Sequence, residues 1–248
     1  MVRPGRHVRR LTAAAIALSA TLAGCSSGPR FGAPSAATKQ GQSVNHLFTG
    51  FVSAALVVFG IVWVLIFWSI IRYRRRGRAE APEQFHGNVP LEVALTVIPL
   101  IIVAVLFAVT IHVQTREDRV SAHPDVRILV TAFQWGWRFR YDGERVTVTG
   151  DANREPEMVL PVDARIRFDL RTVDVIHSFF VPDFLFKRDV IPRVNNSVQI
   201  DTTKQGRFRG LCAEYCGLDH ARMGFWVRVV DRVSYDRWLR EHRSGGNT

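Results

Sequence analysis

FQWGWRFRY, residues 133–141, decides how the larger half of this chain folds. Successive side chains of an extended strand point to opposite faces, so Phe133, Trp135, Trp137, Phe139 and Tyr141 are predicted on one face of a single strand. ARIRFDLRT (164–172) repeats the pattern, with Ile166, Phe168 and Leu170 set against Arg165, Arg167, Asp169 and Arg171. Further strands are expected at RVTVT (145–149), SVQID (197–201), RFRGL (207–211) and FWVRVV (225–230). Many short strands with one apolar face imply a sandwich or barrel over residues 116–232. VSYDRWLREHR then gives residues 233–248 a helix and tail.

Upstream the pattern changes. LFTGFVSAALVVFGIVWVLIFWSII (47–71) has no charged residue, and VALTVIPLIIVAVLFAVTIHV (93–113) is as apolar, so each is long enough to cross a bilayer as a helix. The two form a transmembrane hairpin over residues 47–115, and the five arginines of RYRRRGR (72–78) mark the connecting loop as cytoplasmic. Everything after Thr115 is then extracytoplasmic. The first 24 residues, basic and then apolar, read as an export signal. Small and polar residues make 25–46 a tether.

The net charge of +11 invites a nucleic-acid reading, but most of the excess lies in the signal and the arginine loop. Residues 93–248 hold 22 Lys and Arg against 19 Asp and Glu, so a nucleic-acid partner is not expected.

CAEYCGLDHARM (212–223) falls between two predicted strands and gathers Cys212, Glu214, Cys216, His220 and Met223 in one loop. A disulfide would leave His220 and Met223 without a role. Zinc would take Cys212, Cys216, His220 and one more histidine, but rarely a thioether, which copper accepts. A single-copper site has one cysteine too many here. Two bridging thiolates on two coppers need a second histidine, and His177, in DVIHSFFVPDFLFKRDVIP (174–192), is the candidate.

The tether, the hairpin, QWGW (134–137), DVIHSFFVPDFLFKRDVIP and CAEYCGLDHARM together resemble subunit II of haem-copper cytochrome c oxidases over nearly the whole mature chain. The resemblance implies an all-β cupredoxin-like Greek-key barrel behind the α-helical hairpin. It implies that His177, Cys212, Cys216, His220, Met223 and the Glu214 carbonyl bind the binuclear copper centre CuA. By the same likeness Trp135 receives electrons from cytochrome c, the Glu214 carboxylate is a ligand for magnesium at the boundary with subunit I, and Glu92 stands at the mouth of a proton path. LAGC resembles a bacterial lipobox, which makes Cys25 a lipidated first residue at the plasma membrane. Asp174, Asp183 and Asp219 are the candidates for an acidic donor-docking patch. Arg193 departs from the family, which commonly has glycine after the proline of DVIP.

The implied function is that of the subunit of an aerobic respiratory oxidase that takes electrons from a c-type cytochrome at CuA. It passes them to haem in subunit I, where oxygen is reduced to water with proton pumping. A quinol-oxidase subunit would lack the ligand set. A lipid-anchored copper carrier would need neither a two-span hairpin nor the aromatic strand. The chain contains no C-x-x-C-H motif for a fused haem.

Overall fold

A computed structural model of the chain describes residues 32, 34–74 and 87–244. The signal segment, Cys25 and most of the arginine loop lie outside these residues.

Helix α1, Lys39–Arg72, and helix α2, Val89–Glu117, are both long and apolar enough to cross a membrane. The 34 residues of α1 span roughly 50 Å, well beyond a hydrocarbon core of about 30 Å. Its polar first turns therefore lie outside the span. The helix starts at Lys39 rather than at the first apolar residue, because Thr38 caps it: the hydroxyl oxygen accepts from the Gly41 N–H at 3.0 Å. This corrects the tether of 25–46, whose last residues are neither extended nor free. The Ala37 N–H donates to Asp183 O at 2.8 Å, the Thr203 N–H donates to Ala37 O at 3.0 Å, and Gln40 Oε1 accepts from the Asp201 N–H at 2.7 Å. Helix α2 is capped by Asn88 and runs through Pro99 without ending.

Ten strands follow among the described residues, in two sheets of five. The first contains β1 (Val126–Phe133), β2 (Gly136–Tyr141), β3 (Val146–Asp151), β5 (Arg165–Thr172) and β8 (Asn196–Asp201), in the order β3-β2-β1-β5-β8. The second contains β4 (Glu157–Pro161), β6 (His177–Val181), β7 (Phe186–Val190), β9 (Gly206–Cys212) and β10 (Gly224–Val230), in the order β4-β10-β9-β6-β7. The pairs β1–β5 and β4–β10 are parallel and the rest antiparallel, and the chain crosses between the sheets after β3, β4, β5, β7 and β8. The expected all-β domain is present, its strands packed as a sandwich of two sheets. Helix α3, Arg232–Ser244, packs Tyr235, Trp238 and Leu239 onto its edge.

FQWGWRFRY is not one strand. Phe133 ends β1, Gly136 opens β2 opposite it, and Gln134–Trp135 is the two-residue turn between them. Trp137, Phe139 and Tyr141 keep the alternation and are buried, whereas Phe133 and Trp135 are half-buried outside that row. Aromatic alternation alone cannot register a reversal of direction when the turn itself contains an aromatic.

The core between the sheets is aromatic. Phe179 stacks on Phe225 at 4.9 Å, and Trp137 meets both edge-on at 5.8 and 5.2 Å. The Tyr141 hydroxyl crosses the sandwich, donating to Val159 O at 2.9 Å and accepting from the Val159 N–H at 2.8 Å. One phenol thereby pairs both backbone groups of a residue on an edge strand, where the cost of leaving them buried and unmade is high.

Candidate metal centre

Strand pairing brings the two motifs together. Phe179 on β6 pairs with Cys212 on β9, so His177, two residues earlier on β6, comes beside the start of the loop that β9 leads into. That loop closes on itself: the Cys212 N–H and the Trp137 indole N–H both donate to Met223 O, at 3.0 and 3.4 Å. The Ala213 N–H donates to Ser178 O at 3.0 Å, fixing the loop to β6.

The side chains that face each other are those that sequence selected. Cys212 Sγ and Cys216 Sγ are 3.9 Å apart, and both are free thiols. Cys212 Sγ lies 3.8 Å from His177 Nδ1 and 3.2 Å from Glu214 O; Cys216 Sγ lies 3.5 Å from His220 Nδ1 and 3.7 Å from Met223 Sδ. Each sulfur therefore has its own imidazole and its own weak donor. His177, Cys212, Cys216 and Met223 are buried, while His220 is half-buried beneath the edge of Tyr215 at 5.7 Å. The donor atoms of His177, Cys212 and Cys216 lie within 4.8 Å of one another, a cluster that fits a metal.

Asp174 fixes which nitrogen of His177 faces the cluster. Its carboxylate, 2.8 Å from Nε2, can only accept, so Nε2 carries the hydrogen and Nδ1 presents a lone pair to the sulfurs. Burial pulls the His177 imidazole down, but the hydrogen bonds and charges of Cys212 and Asp174 outweigh it and raise it above its ordinary value. Burial also pushes the Cys212 thiol up; His177 and nearby backbone groups more than reverse this and set it at about 7. Cys216 is pushed up to about 12 by burial and by the charge on Cys212. Alone, the pocket favours one thiolate, and a second requires incoming positive charge.

Trp135 covers the cluster from the β1–β2 turn. Its indole N–H donates to Cys216 O at 3.2 Å, and Gln134 Nε2 donates to the same oxygen at 2.8 Å. Gly217 has φ +121, and a Cβ there would lie 3.1 Å from the Trp135 ring, so this close approach requires glycine. Sequence reading did not find Gln134, nor Asp174 as the partner of His177. The available signal was a carboxylate three residues before a ligand histidine.

The three candidate docking aspartates are not brought together. Asp174 turns inward to His177 and to the Gln134 N–H, and Asp219 pairs with Arg222 at 3.3 Å. Asp183 lies in the turn after β6, at the other end of that strand from His177. The Glu214 carboxylate is 46% exposed and 3.9 Å from Lys187 Nζ. Glu92 is exposed in the first turn of α2, where Oε1 accepts from the Asn88 N–H at 3.3 Å. Arg193 takes φ +65, so the turn keeps a left-handed residue without glycine.

The chain matches two family descriptions: "Cytochrome C oxidase subunit II, transmembrane domain" over residues 27–113, and "Cytochrome C oxidase subunit II, periplasmic domain" over residues 141–230. It is 36% identical to cytochrome c oxidase subunit 2 of Mycobacterium bovis, over 98% of this chain and 84% of that protein. The same identity, over 99% of this chain and 91% of the relative, relates it to the probable cytochrome c oxidase subunit 2 of Streptomyces avermitilis. A solved periplasmic domain of subunit II of cytochrome oxidase from Bradyrhizobium japonicum is 32% identical, covering 50% of this chain and 97% of that domain with a TM-score of 0.46.

Proposed function

The chain belongs to the cytochrome c oxidase subunit II family, and from that premise we propose that it receives electrons from a c-type cytochrome and delivers them to haem in subunit I. Oxygen reduction to water and the coupled proton pumping then take place in that partner. The observation that carries the reading is the paired donor set: two thiols 3.9 Å apart, each with one imidazole, flanked by Met223 and the Glu214 carbonyl. The set suits two soft ions better than one tetrahedral zinc, for which a thioether is a poor ligand.

His177, Cys212, Cys216, His220, Met223 and Glu214 O would hold a binuclear copper centre, CuA. When bound, such a centre supplies a one-electron carrier whose charge change is spread over two metals. The chain's own residues keep it rigid and dry: Asp174 orients His177, Trp137 holds the Met223 carbonyl, and the aromatic core lies beneath. Trp135 is the group through which electrons arrive, since its indole contacts the backbone of Cys216. A magnesium ion shared with subunit I would take the Glu214 carboxylate in place of Lys187. Glu92 would serve as the acid at a proton path on the cytoplasmic side, which the arginines of 72–78 mark. Cys25 would be the lipidated residue anchoring the exported N-terminus.

The test is copper content and the electron paramagnetic resonance spectrum of the full chain loaded in detergent under mild reductant. Two coppers per chain with hyperfine structure from both nuclei are expected. One localised copper, zinc, or a persistent disulfide between Cys212 and Cys216 would overturn the reading. Trp135→Phe should leave that spectrum intact while slowing electron uptake from cytochrome c.

A further inference from the structure

Residues 93–248 are close to charge balance, yet the fold sorts their charges. The alternation that buries Trp137 and Phe139 turns Arg138 and Arg140 to the solvent face of the first sheet, and the one that buries Ile166, Phe168 and Leu170 turns Arg165, Arg167 and Arg171 to the same face. Arg127 of β1 joins them. The carboxylates on this face are engaged: Asp169 with Arg127 at 2.6 Å and Arg167 at 3.0 Å, Asp142 with Arg127 at 3.8 Å, Asp201 with Arg165 at 3.9 Å, and Asp151, opposite Gly136 on β3, with the backbone N–H groups of Asn153 and Arg154 at 2.8 and 3.1 Å. Arg138, Arg140 and Arg171 have no ion-pair partner among the described residues.

These three exposed arginines also have a definite position. Arg138 and Arg171 both pair with Thr131, so they stand in one row two residues from Phe133, where the Trp135 turn begins. Arg140 and Arg171 line an open cavity of about 280 Å³. The row lies toward the end of the sheet away from Asp201, beside which α1 begins. That placement favours a protein partner over the membrane headgroups.

Resting on the electron-accepting reading above, we propose that this arginine face docks an acidic surface of the electron-donor protein, with the Trp135 turn at its edge. A donor with a basic face would meet like charge here, which costs encounter rate and orientation. An acidic donor is steered toward Trp135, whose indole bonds to the backbone of Cys216.

The probes are ferrocytochrome c with its native lysines and the same protein succinylated, which reverses its charge around the same haem. Each is mixed with the intact oxidase complex containing this chain. The succinylated form is expected to reduce the complex about tenfold faster or more at low salt, the gap narrowing as salt screens it. Arg138→Glu with Arg140→Glu and Arg171→Glu should reverse the preference, whereas Lys204→Glu, the same change at the other end of the sandwich, should not. Faster reduction by native cytochrome c, or indifference of both rates to the triple change, would overturn the docking face. So would a triple variant that keeps its rates but loses binding to phosphatidylglycerol vesicles. Reduction of this chain's copper absorption by ascorbate with an uncharged mediator separates the two readings. Its failure in the unaltered complex brings down electron acceptance and docking together, while normal mediator reduction without charge preference brings down docking alone.

Discussion

Asp174 and His177 are joined at 2.8 Å, and the other oxygen of Asp174 accepts from the Gln134 N–H at 2.7 Å. One carboxylate thus sets the ligand histidine and the turn that holds Trp135 over Cys216. Burial pushes this carboxyl up, but the hydrogen bonds from His177, Gln134 and Val175 hold it below the usual carboxylate range.

Asp174→Ala therefore loosens the imidazole without removing a ligand. Copper affinity is expected to fall about 10–100-fold, read by titration against a chelator, with an altered copper spectrum in the fraction that loads. Unchanged affinity and spectrum would mean that His177 is held by its packing alone.

Tyr141→Phe removes only an oxygen, but it leaves the N–H and C=O of Val159 without their partner inside the core. The expected loss is about 2–4 kcal/mol, measured by chemical unfolding of the full chain in detergent. A loss below about 0.5 kcal/mol would show that the edge strand finds other partners.

Arg193 holds φ +65, a region that is costly for any residue with a Cβ. Arg193→Gly should leave stability unchanged or raise it by up to about 1 kcal/mol, the relief of strain being offset by the more flexible unfolded chain. Arg193→Val should lower it, because a β-branched residue tolerates this conformation least. The two variants moving in the same direction would rule out the strain.

Asp169 gives the sandwich an acid limb. Burial raises its carboxyl, but hydrogen bonds from Ser197, Arg127 and Arg167 outweigh this and hold it below the ordinary range. A depressed folded value means that the stabilisation is present above the unfolded value of about 4 and lost as pH falls through the folded one. Asp169→Asn is expected to cost about 1–3 kcal/mol at neutral pH, and the gap to the native chain should close in acid. A gap independent of pH would show that the loss is steric.

Much of this was legible in the chain. Two uncharged runs gave the helices, because nothing but length and apolarity is needed to satisfy a bilayer. Ile166, Phe168 and Leu170 gave β5 and its buried face, and C-x-x-x-C-x-x-x-H-x-x-M gave most of the cluster because loop ligands lie close in sequence. The helix start at Lys39 was missed because Thr38 and the polar residues after it are held by partners more than 140 positions away. The break at Gln134–Trp135 was missed because the alternation runs on through the turn.

The sequence by itself determined the classes of element, the donor atoms and the inner and outer faces of β2 and β5, since these follow from local periodicity and side-chain chemistry. Only the tertiary structure decided what those elements do together. Pairing of β6 with β9 brought His177 to Cys212 across 35 positions, and the turn after β1 laid Trp135 on Cys216. The crossover that sets β1 between β2 and β5 put Arg138 and Arg171 in one row while leaving Asp174, Asp183 and Asp219 apart. Distances between residues far apart in the chain depend on strand order and register, and these are fixed by packing the whole core rather than by any one segment.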